Sequence, residues 1–146
     1  SETRRLGKAL ADAAVPGLIV LLDGPLGAGK TTLAQGFADA IGADRPAASP
    51  SFVLAHSYSG GRLRVWHLDL YRLESVTEIA DLDLDQYLTP DGVALVEWAE
   101  RAPDAWPSDI VRVRLDIAGE QRRAELSGSN RGVSVVRTAT ASMQAE

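Results

Sequence analysis

Apolar positions recur along this chain at two periods, and the alternation of those periods predicts its elements. Residues 3–14 gather Leu6, Ala9, Leu10, Ala13 and Ala14 into one stripe, with Arg4, Arg5, Lys8 and Asp12 elsewhere around the turn. That pattern predicts an amphipathic helix, ended by Pro16-Gly17. Residues 18–22 are an unbroken apolar run, which reads as a buried strand. The helical period returns over 32–41, with apolar residues at 33, 34, 37, 38 and 41 and Gly42 as the stop. Two prolines and no periodicity predict an irregular loop over 43–51. Residues 52–58 and 63–70 read as two strands joined by Ser59-Gly60-Gly61. In the second, Leu63, Val65, His67 and Asp69 share one face, and Arg64, Trp66 and Leu68 the other. A short helix is expected over 74–80, with a further turn at 85–88, and a turn at Pro90-Asp91-Gly92. Residues 93–98 form a second buried strand, apolar until Glu97. After a proline-rich connection, 110–117 alternates Val111, Val113, Leu115 and Ile117 against Arg112, Arg114 and Asp116, a half-exposed strand with 121–126 as its return partner. Beyond Ser127 Gly, Ser, Thr and Ala dominate, and Val133, Val135 and Val136 are the only hint of a core face. The expected organisation is one domain over 1–128 and a weakly ordered or disordered tail over 129–146.

Strands alternating with helices, plus a hairpin, predict a single-domain α/β fold: a mixed central sheet with an antiparallel hairpin portion, flanked by helices. At 146 residues the chain is long enough for a sizeable core. A net charge of −5 gives no overall basic footprint for nucleic acid. Without cysteine there is neither a disulfide nor a thiolate metal site. No apolar run is long enough to span a bilayer and no signal peptide is visible, so a cytoplasmic location is the default expectation.

Candidate chemistry centres on Gly24-Pro25-Leu26-Gly27-Ala28-Gly29-Lys30-Thr31, which fits the pattern Gly, four residues, Gly-Lys-Ser/Thr between a strand and a helix. Glycines let such a backbone curl around a phosphate chain with its N–H groups inward, and the helix N-terminus adds its dipole. Lys30 is expected to reach the β and γ phosphates, and the Thr31 hydroxyl to ligate Mg²⁺. A nucleotide hydrolase also needs carboxylates at strand ends. Asp69 and Glu97 are placed for this: one to hold the metal shell, the other to position water. The structural alternatives are an ion pair of Asp69 with Arg72 or Arg64, and a solvent-facing Glu97. Ser51, in Ser49-Pro50-Ser51-Phe52, is a candidate switch hydroxyl. Trp98 lies against the nucleotide, marks a partner surface, or packs in the core. Arg72 serves either developing phosphate charge or an ion pair. His56 and His67 read as packing or hydrogen-bonded residues rather than metal ligands. The chain has no lysine after Lys30, which the common guanine-reading motif (Asn/Thr-Lys-x-Asp) requires, so ATP is the expected nucleotide.

Four motifs together, Gly-x-Leu-Gly-Ala-Gly-Lys-Thr-Thr (24–32), Ser-Pro-Ser-Phe (49–52), His-Leu-Asp-Leu-Tyr-Arg-Leu (67–73) and Val-Glu-Trp-Ala-Glu-Arg (96–101), closely resemble the bacterial tRNA threonylcarbamoyladenosine biosynthesis ATPase family, TsaE. The resemblance runs from the N-terminal helix to about Leu126. It implies a compact α/β fold of the P-loop NTPase kind, weak, Mg²⁺-dependent ATP hydrolysis and association with the TsaD–TsaB pair, in which TsaD transfers a threonylcarbamoyl group to adenosine 37 of tRNAs reading ANN codons. The ATPase would reset that complex without modifying tRNA itself. By the same resemblance Gly24, Leu26, Gly27, Ala28, Gly29, Lys30, Thr31, Thr32, Ser51 and Trp98 would contact ATP. Thr31, Asp69 and Glu97 would serve the metal, and Asp69 and Glu97 the catalysis. Pro25 stands where the family often has Asp, and it offers no N–H to a phosphate. Ser51 stands where Thr is usual and lacks the β-branch that stiffens it. The acidic net charge suits a protein that meets tRNA through basic partners, with Arg122 and Arg123 as sites of any direct contact. A small-molecule kinase and a non-catalytic nucleotide sensor are the competing readings.

Overall fold

A computed structural model describes residues 1–25, 27–42, 47–48, 54–71, 77, 83–107 and 109–145. Among these, seven strands form one sheet: β1 (Ile19–Asp23), β2 (Ala47–Ala48), β3 (Leu54–Tyr58), β4 (Arg64–Asp69), β5 (Gly92–Glu97), β6 (Ile110–Ala118) and β7 (Gln121–Ser129). Their order is β2-β3-β4-β5-β1-β6-β7. The central four, β4, β5, β1 and β6, run parallel. β3 is antiparallel to β4, β2 to β3, and β7 to β6. Three α-helices are described: α1 (Glu2–Ala13), α2 (Lys30–Ile41) and α3 (Arg131–Gln144). The expected α/β fold, with a mixed sheet and an antiparallel portion, is the fold observed.

The unbroken apolar runs of β1 and β5 follow from burial on both faces, as parallel strands require. Val20, Leu22, Val93 and Leu95 point into a core shared with Leu6, Leu10, Leu33 and Phe37 of α1 and α2. Ile19, Leu21, Ala94 and Val96 point the other way, into a smaller core with Leu68, Leu70, Leu84, Tyr87 and Ala99. Successive side chains of one strand therefore stabilise two layers, and the strand ends are gripped from both sides.

α1 holds α2 closely. A Cβ on Gly7 would meet the Leu33 carbonyl and the Phe37 amide, and one on Gly36 would meet the Arg4 carbonyl. This close helix crossing fixes α2, and with it the N-terminus that opens onto the end of β1. Gly42, at φ 83°, ends α2 and donates its amide to the Ala38 and Asp39 carbonyls, as its position predicts.

Three expectations are corrected. Ala47 and Ala48, read as irregular, pair with Ser57 and His56 of β3. Ile117, read as inward, is 47% exposed, because β6 outruns the core and continues with β7 as a two-stranded arm. The third concerns the tail: residues 131–144, expected to be weakly ordered, form α3, whose Val135 and Ala139 are buried in the main core. Its start is tied down by Arg131, which donates its backbone N–H to Asp109 Oδ1 (3.1 Å), Nε to Asp109 Oδ2 (2.9 Å) and Nη2 to the Pro16 carbonyl (3.1 Å). The Arg131 hydrogen bonds, backbone first, hold the Asp109 carboxyl below its ordinary range, so this tie is present at neutral pH and lost in strong acid. The buried stripe of α3 is Gly132, Val135 and Ala139, small residues whose weak apolar signal comes from tertiary fit rather than hydrophobicity. The element expected over 74–80 lies outside the described residues, apart from Thr77.

Val135→Ala is expected to destabilise the chain by about 2 kcal/mol, the transfer and cavity terms of two buried carbons. Urea unfolding checks this. An unchanged midpoint would mean that α3 is not part of the cooperative core.

Candidate functional site

Strand register assembles the site. β1 lies between β5 and β6, and β5 between β4 and β1. Leu22 is level with Glu97, and Glu97 with Asp69, so the ends of three strands meet at the carboxyl end of the parallel sheet. In open α/β sheets this edge is where ligands bind. The loop leaving β1 is built on glycines at positive φ: Gly24 at 143°, Gly27 at 81° and Gly29 at 108°. Gly24 has a second reason to lack a side chain, since a Cβ there would run into the Leu115 carbonyl of β6. The loop delivers the chain directly into α2, whose first turn carries unsatisfied N–H groups and the positive end of the helix dipole.

Lys30 opens α2, and Glu97 closes β5. Each is only 7% exposed, and they are the buried charged residues among those described. Lys30 Nζ donates to the Gly24 carbonyl at 2.8 Å and lies 3.8 Å from Glu97 Oε1. The other carboxylate oxygen, Oε2, accepts from His67 Nε2 at 2.7 Å. His67 is thus hydrogen-bonded, as its position suggested, and Glu97 is not the solvent-facing carboxylate of the structural alternative. Asp69 is half-buried, with Oδ1 accepting the Tyr71 N–H at 2.9 Å. Among the described residues it has no ion pair with Arg64.

Trp98 follows Glu97 in the left-handed conformation, φ 61° and ψ 39°. Such a backbone is uncommon for a bulky residue and marks local strain. It turns the half-buried indole back over the site, with its ring 5.1 Å from Lys30 Nζ. The exposed Tyr71 ring lies 5.0 Å from it, and the Arg101 guanidinium sits 5.6 Å from the Trp98 ring and 6.0 Å from that of Tyr71. Trp98 therefore joins the edge of the smaller core to the phosphate loop.

Two hollows flank the Lys30–Glu97 pair. One, of about 310 Å³, is lined by Thr31, Gln35, His56, Tyr58, His67, Asp69 and Glu97. The other, of about 500 Å³, is lined by Gly24, Pro25, Lys30 and Trp98 together with Arg112 and Arg114 of β6. The first brings the Thr31 hydroxyl and both carboxylates into one cavity, a set of hard oxygen donors that suits Mg²⁺. Tyr58 and Gln35 complete its wall. Burial, then the Asp39 charge, raises the Tyr58 phenol above its ordinary value, so it stays a neutral donor. Arg122 reaches the loop from the β6–β7 arm, with Nη2 3.4 Å from the Gly27 carbonyl.

Of the residues singled out in the sequence, Gly24, Gly27, Ala28, Gly29, Lys30, Thr31, Thr32, Asp69, Glu97 and Trp98 lie at this end of the sheet. Leu26, Ser51 and Arg72 fall outside the described residues. Sequence reasoning missed Gln35 and Tyr58 as lining residues and did not join His67 to Glu97. The helical spacing of Thr31 and Gln35 could have suggested the first.

A family model described as "Threonylcarbamoyl adenosine biosynthesis protein TsaE" matches residues 1–125. The chain is 40% identical over 122 residues to the tRNA threonylcarbamoyladenosine biosynthesis protein TsaE of Bacillus subtilis (strain 168), covering 84% of this chain and 76% of that one. It is 42% identical over 118 residues to the Streptomyces coelicolor protein of that name, covering 79% of each. The Haemophilus influenzae protein of that name is 32% identical over 120 residues, covering 82% of this chain and 76% of its own. The crystal structure of Bacillus subtilis YdiB superposes with a TM-score of 0.79 at 31% identity, over 97% of this chain and 88% of that one. A match over most of the chain, in sequence and in fold, places this chain in the TsaE family.

Proposed function

We propose that the chain is a Mg²⁺-dependent ATPase, an accessory to threonylcarbamoylation of adenosine 37 in tRNAs reading ANN codons, working with TsaD and TsaB. The observation that carries the chemistry is the buried Lys30–Glu97 pair set behind a glycine loop at the strand ends. The pathway rests on the family and on the names of its relatives.

In this reading the β phosphate sits in the loop, against the N–H groups of α2, and Lys30 turns from the Gly24 carbonyl to the β and γ oxygens. Thr31 and Asp69 would hold Mg²⁺, with Glu97 at its shell; the ion would neutralise charge on the phosphates. Glu97 orients a water in line with the γ phosphorus. The water oxygen bonds to phosphorus as the bond to the β–γ bridging oxygen breaks, and the water proton passes to Glu97 or to solvent, leaving ADP and phosphate. Trp98 covers the Lys30 side and limits access of bulk water. The open, 310 Å³ hollow beside Glu97 leads us to expect slow turnover by the isolated chain, with a partner needed to close it. A small-molecule kinase would use the same phosphate geometry, and product analysis separates the two: a hydrolase releases free phosphate, a kinase a phosphorylated acceptor.

Lys30→Ala is expected to weaken ATP binding at least tenfold, the loss of a charge-assisted contact of about 1.5–3 kcal/mol; equilibrium titration checks this, and unchanged affinity would remove the basis of the reading. Glu97→Gln is expected to keep ATP affinity within about threefold and to lower hydrolysis by a factor of about 10²–10⁴. Parent-level phosphate release by that variant would show that Glu97 has another role.

A further inference from the structure

Glu97 has two oxygens with different surroundings. Oε2 is 2.7 Å from His67 Nε2, a direct hydrogen bond, whereas Oε1 is 3.8 Å from Lys30 Nζ, too far for one. Lys30 has a closer partner in the Gly24 carbonyl at 2.8 Å. When a phosphate occupies the loop, Lys30 is the group that turns to it, and Oε1 is left facing the incoming ligand. A carboxylate buried to this degree needs a hydrogen-bond partner to hold it in place. His67 is the side chain that still holds it.

His67 is well built for that task. It lies on β4, a strand paired on both sides, level with His56 of β3 and Leu95 of β5. Its side chain is 12% exposed and reaches diagonally across to the end of β5, so the donor belongs to the sheet rather than to a loop. Donors on paired strands hold a group more tightly than donors on loops. We propose that His67 is a positioning residue: it clamps Oε2 so that Oε1 alone is presented to the attacking water. This rests on the ATPase reading of the site and deepens it, because it assigns His67 to the rate of hydrolysis rather than to nucleotide affinity.

The test compares His67→Ala and His67→Gln with the parent, measuring kcat and KM for phosphate release and ATP affinity by direct titration, with Lys30→Ala as the inactive control. The expected result is a kcat about 10- to 100-fold lower in His67→Ala, the scale of a misplaced catalytic group. ATP affinity should stay within about threefold, and His67→Gln, whose amide can donate to the same oxygen, should recover most of the rate. A kcat within twofold of the parent in His67→Ala, a loss carried entirely by affinity, or no recovery with Gln would overturn the proposal. If the parent releases phosphate no faster than Lys30→Ala, the ATPase reading itself fails. The clamp is then judged by thermal unfolding of His67→Ala, Glu97→Ala and the double variant. Tm losses that fall short of adding support the clamp, and additive losses overturn it.

Discussion

The structure turns on two opposite charges that are almost entirely withdrawn from water. Lys30 and Glu97 are each 7% exposed, and neither could be buried alone without a penalty of several kcal/mol. Their mutual attraction across 3.8 Å offsets part of that penalty, and the Gly24 carbonyl and His67 supply the hydrogen bonds that complete it. Such a pair is weak evidence for stability, since apolar residues of similar volume would serve a core as well or better. Its placement at the ends of β1 and β5, behind a loop that only glycine can build, is the arrangement of a site that exchanges one partner for a ligand.

Everything around the pair serves to hold its two supports in register. Alternate residues of β1 and β5 enter different cores, so neither strand can slide without exposing apolar surface on both faces. The close crossing at Gly7 and Gly36 fixes α2, and so fixes where Lys30 begins. α3 closes the same core from the β6 side, through Val135 and Ala139. Trp98 carries local backbone strain directly after Glu97, where the surrounding packing holds it over Lys30.

Much of this was legible in the sequence for specific reasons. The run 18–22, the glycine loop and the period of 32–41 are local signals, and they place Lys30 without any knowledge of the sheet. Glu97 was legible because it ends an otherwise apolar strand. The His67–Glu97 contact was not, because residues thirty apart meet only once β4 is known to lie beside β5, and strand order is a tertiary property. α3 was missed because its buried face is made of Gly, Val and Ala, which fit a narrow space without a strong apolar stripe. Ile117 was misplaced because alternation reports which way a side chain points, not whether a core extends that far.

The most direct test of the central claim is release of free phosphate from ATP by the purified chain, alone and with the TsaD–TsaB pair. The account predicts slow release by the chain alone and a clear rise when the pair is added, abolished when Lys30 is replaced by Ala. A rate that ignores the pair, or phosphate found on an acceptor instead of in solution, would contradict it.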